Sequence, residues 1–292
     1  MKILVIGSHG KLGVDIVNEF KSYKDRNLIE IITPTSMDLD ITNYRGVEFY
    51  IKSVRPDVII STAGFIDING CEENRKTAFH INSSSQRNLA KIAGQNNCRI
   101  FFSSTEFVFD GTKGDKYIES DVPNPQNVYG TSKYIGEMFV RNMCTDHYII
   151  RSSSLFGKYP PVAKVNFIYN LIEKSKQKAA IEIYDNLFIS PTYTVDAAKQ
   201  ICNLVFHGDN PGVYHIVNSG DMCTWYEFAL YAAELLDLNI QIKPISYTHD
   251  KQHDPVNRPL IAGLDSEKFK LRSWKEAFND FAISMKDILN KT

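Results

Sequence analysis

Residues 2–13 read Lys-Ile-Leu-Val-Ile-Gly-Ser-His-Gly-Lys-Leu-Gly, KILVIGSHGKLG. A short apolar, β-branched run that stops on glycine reads as a buried strand, and the amphipathic stretch from Lys11 to about Tyr23 as a helix. Gly7, Gly10 and Gly13 fall at the junction in a GxxGxxG spacing. Glycine there lets the backbone turn sharply and approach a pyrophosphate, which the helix N-terminus then faces. His9, Lys11 and Leu12 belong to the same candidate phosphate loop. A second strand-like run, LIEIIT (Leu28 to Thr33), completes a βαβ unit. The carboxylate that would hold an adenosine ribose at its end is missing, since Thr33, Pro34, Thr35 and Ser36 follow. A 2′-phosphate is therefore not repelled, and Lys11 is available to help bind it. NADPH is the expected cofactor, with NADH the alternative.

Outward from this unit the alternation continues. A helix is predicted over Asn43 to Val54, a strand at DVIIST (Asp57 to Thr62), and a helix from about Glu72 to Ala93. Then come a strand at CRIFFSS (Cys98 to Ser104), a helix starting near Tyr129 and a strand at YIIRSS (Tyr148 to Ser153). Apolar strands alternating with helices predict an α/β fold: a Rossmann-like doubly wound parallel sheet covered on both faces. Beyond Leu155 the rhythm becomes mixed, with helix-like 164–176 and 224–236 and strand-like 180–184, 213–217 and 240–243. The predicted division is a dinucleotide-binding domain over 1–153, taking in about 191–217. A smaller C-terminal α/β substrate-binding lobe comprises 154–190 and 218–292.

The bulk numbers narrow the function. A chain of 292 residues with 43% hydrophobic and 23% charged residues has the composition of an ordinary globular protein. A net charge of −1 argues against nucleic-acid and membrane-surface partners. Five scattered cysteines without CxxC spacing read as reduced thiols, and no signal peptide or membrane-length apolar run is visible, so the expected address is the cytoplasm. The seven histidines (His9, His80, His147, His207, His215, His249, His253) form no HxxxH or HExxH pattern, so no metal site is expected. No GxSxG elbow is present, which disfavours hydrolysis.

NPQNVYGTSK, Asn124 to Lys133, sets Tyr129 and Lys133 four apart at a helix start. A lysine ammonium one turn from a phenol lowers the phenol's pKa toward working pH and makes it a usable proton donor.

Taken in order, several stretches resemble the extended short-chain dehydrogenase/reductases, and within them the dTDP-4-dehydrorhamnose reductases. They are the GxxGxxG start, DLDIT (Asp38 to Thr42), STAGF (Ser61 to Phe65), CEENRKTAFHIN (Cys71 to Asn82), SSTEFVFDG (Ser103 to Gly111), YIESDVPNPQNVYGTSK (Tyr117 to Lys133), NLFISPTYTVDAA (Asn186 to Ala198), GVYHIVNSG (Gly212 to Gly220), TWYEFA (Thr224 to Ala229) and NRP (Asn257 to Pro259). The resemblance implies reduction, by NADPH or NADH, of the C4 keto group of a nucleotide-linked 4-keto-6-deoxy sugar. It implies Tyr129 as catalytic acid, Lys133 as its pKa-lowering partner and nicotinamide-ribose ligand, and Thr105 as the hydroxyl on the keto oxygen. Asp40 and Ile41 would flank the adenine, with Thr62, Ala63 and Gly64 against the cofactor. Glu106, Phe107, Ser154 and Arg258 would face the substrate, Arg258 clamping its diphosphate. A homodimer is a further expectation.

Two departures touch the sugar pocket. Glu106 and Phe107 replace the Asp-Tyr of the resembled motif, and Ser154 in RSSSLFG stands where tryptophan is expected. Phe107 loses a phenolic hydroxyl and Ser154 a stacking surface. Alternative readings are a reductase of another nucleotide keto-sugar, an oxidising dehydrogenase or epimerase of the same superfamily, and a non-catalytic dinucleotide-binding regulatory subunit resembling that of methionine adenosyltransferase. No cysteine lies in Glu106 to Gly111, which disfavours an added epimerase step, and Cys98 reads as a buried structural thiol. Trp225 reads as a helix-core aromatic rather than a base-stacking one.

Overall fold

The computed structural model describes residues 1–23, 28–159, 166–208, 210–249 and 256–289. Its first strand, β1 (Lys2–Ile6), alternates faces as the pleat dictates. Ile3 and Val5 pack on one side of the sheet and Leu4 and Ile6 on the other. The turn at Gly7–Gly10 leads into α1 (Lys11–Ser22), whose Leu12, Ile16, Val17 and Phe20 line its buried stripe. Next come β2 (Glu30–Ile32), α2 (Tyr44–Val54, capped by the Asn43 side chain) and β3 (Val58–Ser61).

Where the sequence pattern predicts one helix over Glu72 to Ala93, three pieces form. They are α3 (Ile68–Glu73), α4 (Arg75–Phe79) and α5 (Ser85–Gln95), with a π-turn at His80–Ser84 joining the last two. The Asn74 backbone leaves helical space at φ −120, which separates the first two pieces. The chain continues through β4 (Arg99–Thr105), α6 (Val128–Met143) and β5 (His147–Ser152).

Two short strands, β6 (Leu155–Phe156) and β7 (Ile181–Tyr184), flank α7 (Phe167–Lys176). Residues 164–165 of the helix expected there lie outside the described residues, as does His253. Then follow β8 (Phe188–Ile189), β9 (Thr192–Tyr193), α8 (Thr194–His207), β10 (Gly212–His215), β11 (Cys223–Thr224), α9 (Trp225–Leu235), β12 (Ile242–Ile245) and α10 (Trp274–Leu289).

The main sheet has six parallel strands in the order β10-β5-β4-β3-β1-β2. α1 and α8 cover one face; α2, α5 and α6 cover the other. This is the doubly wound α/β fold that the strand–helix alternation predicts. Strand order reverses between β1 and β3, so a crevice opens beyond their carboxyl ends, where folds of this kind bind ligands. A second apolar core forms around Phe156, with Tyr193, Phe228, Phe278 and Phe281 ringing it at centroid distances of 5.3–5.7 Å. It joins α7, α9 and α10 beside the crevice. Among the described residues, no helix is long and apolar enough to cross a membrane.

Candidate functional site

A cavity of about 370 Å³ lies at the crevice, between the N-terminus of α1 and the carboxyl ends of β3, β4 and β5. It is contiguous with a second of about 280 Å³, with which it shares Ile68, Glu106, Phe107, Ser154, Phe167 and Trp225. Together they make one cleft.

The glycine loop forms one wall, through Gly10, Lys11, Leu12 and Gly13. A Cβ on Gly13 would sit 2.2 Å from the Gly7 carbonyl oxygen, so only glycine lets the helix start so close to the strand end. No side chain caps α1 at Gly10 and no acid occupies its first turn, which leaves its first N–H groups available to an anion. His9 is exposed, its Nδ1 3.2 Å from the Ser8 hydroxyl. Lys11 crosses the cleft to donate to the Leu155 carbonyl at 2.8 Å, and burial brings its ammonium down to about 8. Thr62 donates to the Gly7 carbonyl at 3.0 Å, and Gly64 lines the cleft. Ala63 packs on the core beneath.

Asp40 and Ile41 do not line the cleft. Asp40 is exposed and accepts from the Thr42 N–H and hydroxyl, which hold it below the usual carboxylate range; Ile41 packs on the core. In the loop after β2, Asp38 folds back to accept from the Thr35 N–H at 2.9 Å and hydroxyl at 2.7 Å. A carboxylate thus reaches this loop from downstream, which the linear sequence does not disclose.

The second wall comes from β4 and α6. Asn127 caps α6 through Gly130 N–H and ties the cap to the Asn257 carbonyl at 2.9 Å. A Cβ on Gly130 would lie 2.0 Å from the Phe107 carbonyl oxygen, so the Tyr-Gly pair lets the helix press against the turn after β4. Tyr129, Thr105 and Lys133 thereby converge on the cleft, all buried. The Thr105 hydroxyl accepts from the Phe107 N–H at 3.2 Å. Phe107 packs edge-on against the Tyr129 ring at 5.6 Å.

The electrostatics differ from the sequence expectation in one respect. The Lys133 ammonium does not lower the phenol. It donates to the Ser103 carbonyl at 2.6 Å, sits 4.2 Å over the Phe102 ring and is brought down to about 8 by burial. The Tyr129 phenol is instead pushed well above its ordinary value, first by burial and then by the Glu106 carboxylate. It stays protonated.

Glu106 is buried and faces both halves of the cleft. Its carboxylate accepts from the Thr105 hydroxyl at 2.7 Å, the Ser154 N–H at 3.1 Å and the Ser153 and Ser154 hydroxyls at 3.5 and 3.4 Å. Ser154 adopts the left-handed region, φ +43. Arg258 lines the outer half and donates to the Asn69 side chain at 2.8 Å.

Sequence reasoning caught some residues here only in part and missed others. Trp225, read as a helix-core aromatic, packs against the second core and also lines both halves of the cleft, 4.6 Å from the Phe167 ring. It is the first residue of α9, and the first turn of a helix that starts at a cleft faces it. Asn82, on the π-turn, clamps the Phe65 backbone at 2.8 and 2.9 Å and meets Ser132 of α6 at 3.0 Å. π-turns often mark functional segments, but the sequence signals only a helix there. Ser152 lines the cleft with a buried hydroxyl that has no partner among the described residues. Below the site, Glu137 and Arg151 form a buried ion pair at 2.6 Å, with Ser104 donating to Glu137 and Arg151 stacked 5.2 Å over Phe109.

Comparison with known proteins places this architecture. SpsK, a spore coat polysaccharide biosynthesis protein of Bacillus subtilis, is 29% identical over 285 residues, 96% of this chain and 96% of its own. The dTDP-4-keto-6-deoxy-D-glucose reductase of Streptomyces niveus is 32% identical over 94% of this chain and 90% of its own. Among solved structures, a dTDP-4-dehydrorhamnose reductase from Clostridium acetobutylicum superposes with a TM-score of 0.88 at 29% identity, over 98% of this chain and 100% of that one. That of Bacillus anthracis, solved in complex with NADP, gives 0.88 at 28%, over 97% and 99%. The model of the RmlD substrate binding domain matches residues 1–291, and the chain belongs to that family.

Proposed function

We propose that this protein is an NADPH-dependent ketoreductase that reduces the C4 keto group of a nucleotide-linked 4-keto-6-deoxy sugar. The carrying observation is that Tyr129, Thr105 and Lys133 meet in one buried cleft with the uncapped N-terminus of α1. The glycine cradle fits a dinucleotide pyrophosphate, since a side chain at Gly13 would fill the space against Gly7. Gly10, Lys11, Leu12, Thr62, Gly64 and Lys133 would hold the cofactor. When bound, NADPH supplies the hydride that the keto carbon accepts.

The chain's own residues do the rest. A phenol held protonated by burial is a proton donor at the oxygen where negative charge develops. Lys133, fixed by the Ser103 carbonyl, supplies a cation at the floor of the site. Aromatic walls from Phe107, Phe167 and Trp225 exclude water and offer stacking surface to the sugar or its base. Arg258 reaches the outer half, where a diphosphate would lie.

The division of labour follows the same reading: 1–153 with about 191–217 bind the cofactor, and 154–190 with 218–292 close over the sugar. Pairing of β10 with β5, and of α8 with α1 on one sheet face, supports it. Cytoplasmic residence and a homodimer complete the proposal, the second to be read by sedimentation. NADPH oxidation on adding purified nucleotide 4-keto-6-deoxy sugars is the direct test. Tight NADPH binding with no turnover of any of them would favour the regulatory-subunit alternative.

The departures at Phe107 and Ser154 support a second reading of the substrate. Trp225 and Phe167 stand beside Ser154 in the cleft, so an aromatic surface is present but enters from a different wall. A keto-sugar other than the rhamnose precursor fits that arrangement, and competition between two such substrates discriminates.

A further inference from the structure

Among the described residues, three buried side-chain atoms lack a hydrogen-bond partner: one carboxylate oxygen of Asp15, the amide nitrogen of Asn166 and the hydroxyl of Ser152. A buried polar group left unpaired is costly, so each calls for an explanation. Asp15 and Asn166 do not line the cleft; Ser152, 4% exposed, does. The hydroxyls around it are all engaged. Ser104 donates to Glu137 and Thr105 to Glu106 at 2.7 Å. Ser153 accepts from the Ser190 N–H at 3.3 Å, and Ser154 donates to Glu106 at 3.4 Å. Ser152 is the cross-strand partner of Thr105, so both side chains leave the sheet on one face, at the carboxyl ends of β4 and β5.

Its place narrows what Ser152 can meet. It lines only the inner half of the cleft, together with the glycine loop, Tyr129 and Lys133; the outer half, which Arg258 lines, does not include it. Leu12, Ile66 and Leu155 give the inner half an apolar wall suited to a flat ring. Of the polar groups of a dinucleotide, the pyrophosphate belongs at the Gly10–Gly13 end. The carboxamide of the nicotinamide must accompany the reacting ring toward Tyr129. It offers a carbonyl to accept and an amino group to donate, and a serine hydroxyl can answer either.

Resting on the ketoreductase reading, we propose that Ser152 is a cofactor-binding residue whose hydroxyl pairs with the carboxamide of the nicotinamide ring. In the free protein the hydroxyl is unsatisfied, and cofactor binding supplies its partner. A ring held through one edge is not free to turn about its glycosidic bond, so Ser152 also fixes which face meets the keto carbon. The rest of the dinucleotide owes nothing to this contact.

The test uses the full chain and two ligands, NADPH and 2′-phospho-ADP-ribose, which is the same molecule without its nicotinamide. By calorimetric titration, Ser152→Ala should weaken NADPH by roughly 5–20-fold and leave the fragment within about twofold. Ser152→Thr and Ser152→Val, nearly equal in shape, should differ in the same way, with threonine the tighter for NADPH. The Tm of the free protein should not fall in Ser152→Ala, since the hydroxyl it removes is unpaired. Equal losses for both ligands, or none for either, would overturn the proposal. So would an unchanged NADPH affinity with a raised KM for a nucleotide 4-keto-6-deoxy sugar, which would give the hydroxyl to the substrate. Selective loss of NADPH in a protein that turns over no keto-sugar would uphold the contact and count against the ketoreductase reading alone.

Discussion

Lys11 Nζ donates to the carbonyl oxygen of Leu155, 2.8 Å away and 144 positions along the chain. The bond ties the first turn of α1 to the strand that leaves the main sheet, and so spans the cleft. A lysine occupied in this way serves the shape of the cleft more than it serves one phosphate of the cofactor. Lys11→Met should therefore weaken NADPH and NADH by similar factors, about tenfold or less, leaving their ratio within about twofold. Calorimetric titration of both cofactors checks it; a selective loss of NADPH would return Lys11 to the 2′-phosphate.

Tyr129→Phe should keep cofactor affinity and lose about 10²–10⁴-fold in kcat, the usual worth of a positioned proton donor. The ring still packs on Phe107, so stability should hardly move. A variant turning over its true substrate at wild-type rate would remove Tyr129 from the chemistry.

Lys133 carries a pH signature. Its ammonium titrates near 8 in the folded chain against an ordinary 10.5, so the unfolded chain binds more protons between those values. The stability penalty is therefore complete below about pH 8 and is relieved as pH rises toward 10.5. Lys133→Met should be more stable than wild type by roughly 3 kcal/mol at neutral pH, with most of that gain gone by pH 10.5. Urea midpoints of both proteins at several pH values measure the difference. A gain that stays constant with pH would mean that the lysine is not desolvated.

The Glu137–Arg151 pair should respond unequally to single and double changes. Both side chains are almost fully buried, so Glu137→Ala strands a guanidinium and should cost about 3–5 kcal/mol. Glu137→Leu with Arg151→Met should cost much less, since no charge is left unpaired. Equilibrium unfolding of the three proteins checks this, and an equal loss from both would contradict it.

Ser154 gives the last prediction. A tryptophan there would need φ +43 and would stand beside the Glu106 contacts, so Ser154→Trp should cost roughly 1–2 kcal/mol rather than rebuild a sugar platform. Trp225→Ala should raise KM by about tenfold, because that ring already lines both halves of the cleft. Tm and steady-state kinetics distinguish the two effects.

Much of the fold was legible because long elements carry a period. The GxxGxxG turn and the five apolar strand runs each announced a layer, and the first five parallel strands appear where those runs fall. α8 was not read as a helix, because its opening residues read as a motif, although Ala197, Ala198, Ile201, Cys202, Leu204 and Val205 make its buried stripe. β6, β8, β9 and β11 have two residues each, too few for any alternation. At the site, the spacing that joined Tyr129 to Lys133 was readable; the direction of the lysine was not. Whether an ammonium turns to a phenol or to a carbonyl depends on β4, thirty residues upstream, whose Ser103 oxygen takes the bond. The sequence likewise could not show Glu106 collecting Ser153 and Ser154 from the end of β5.

The place of β10 has a consequence for how the molecule is made. β10 lies against β5, yet it is synthesised some sixty residues later, after the chain has travelled through α7, β7 and α8. On a ribosome the first five strands emerge with the β5 edge bare, a row of unpaired backbone groups open to neighbouring chains. α8, which covers one sheet face beside α1, is equally late. A nascent chain stalled before Gly212 thus holds Tyr129, Thr105 and Lys133 but lacks the strand that seals their sheet, and such fragments should depend on chaperones or aggregate.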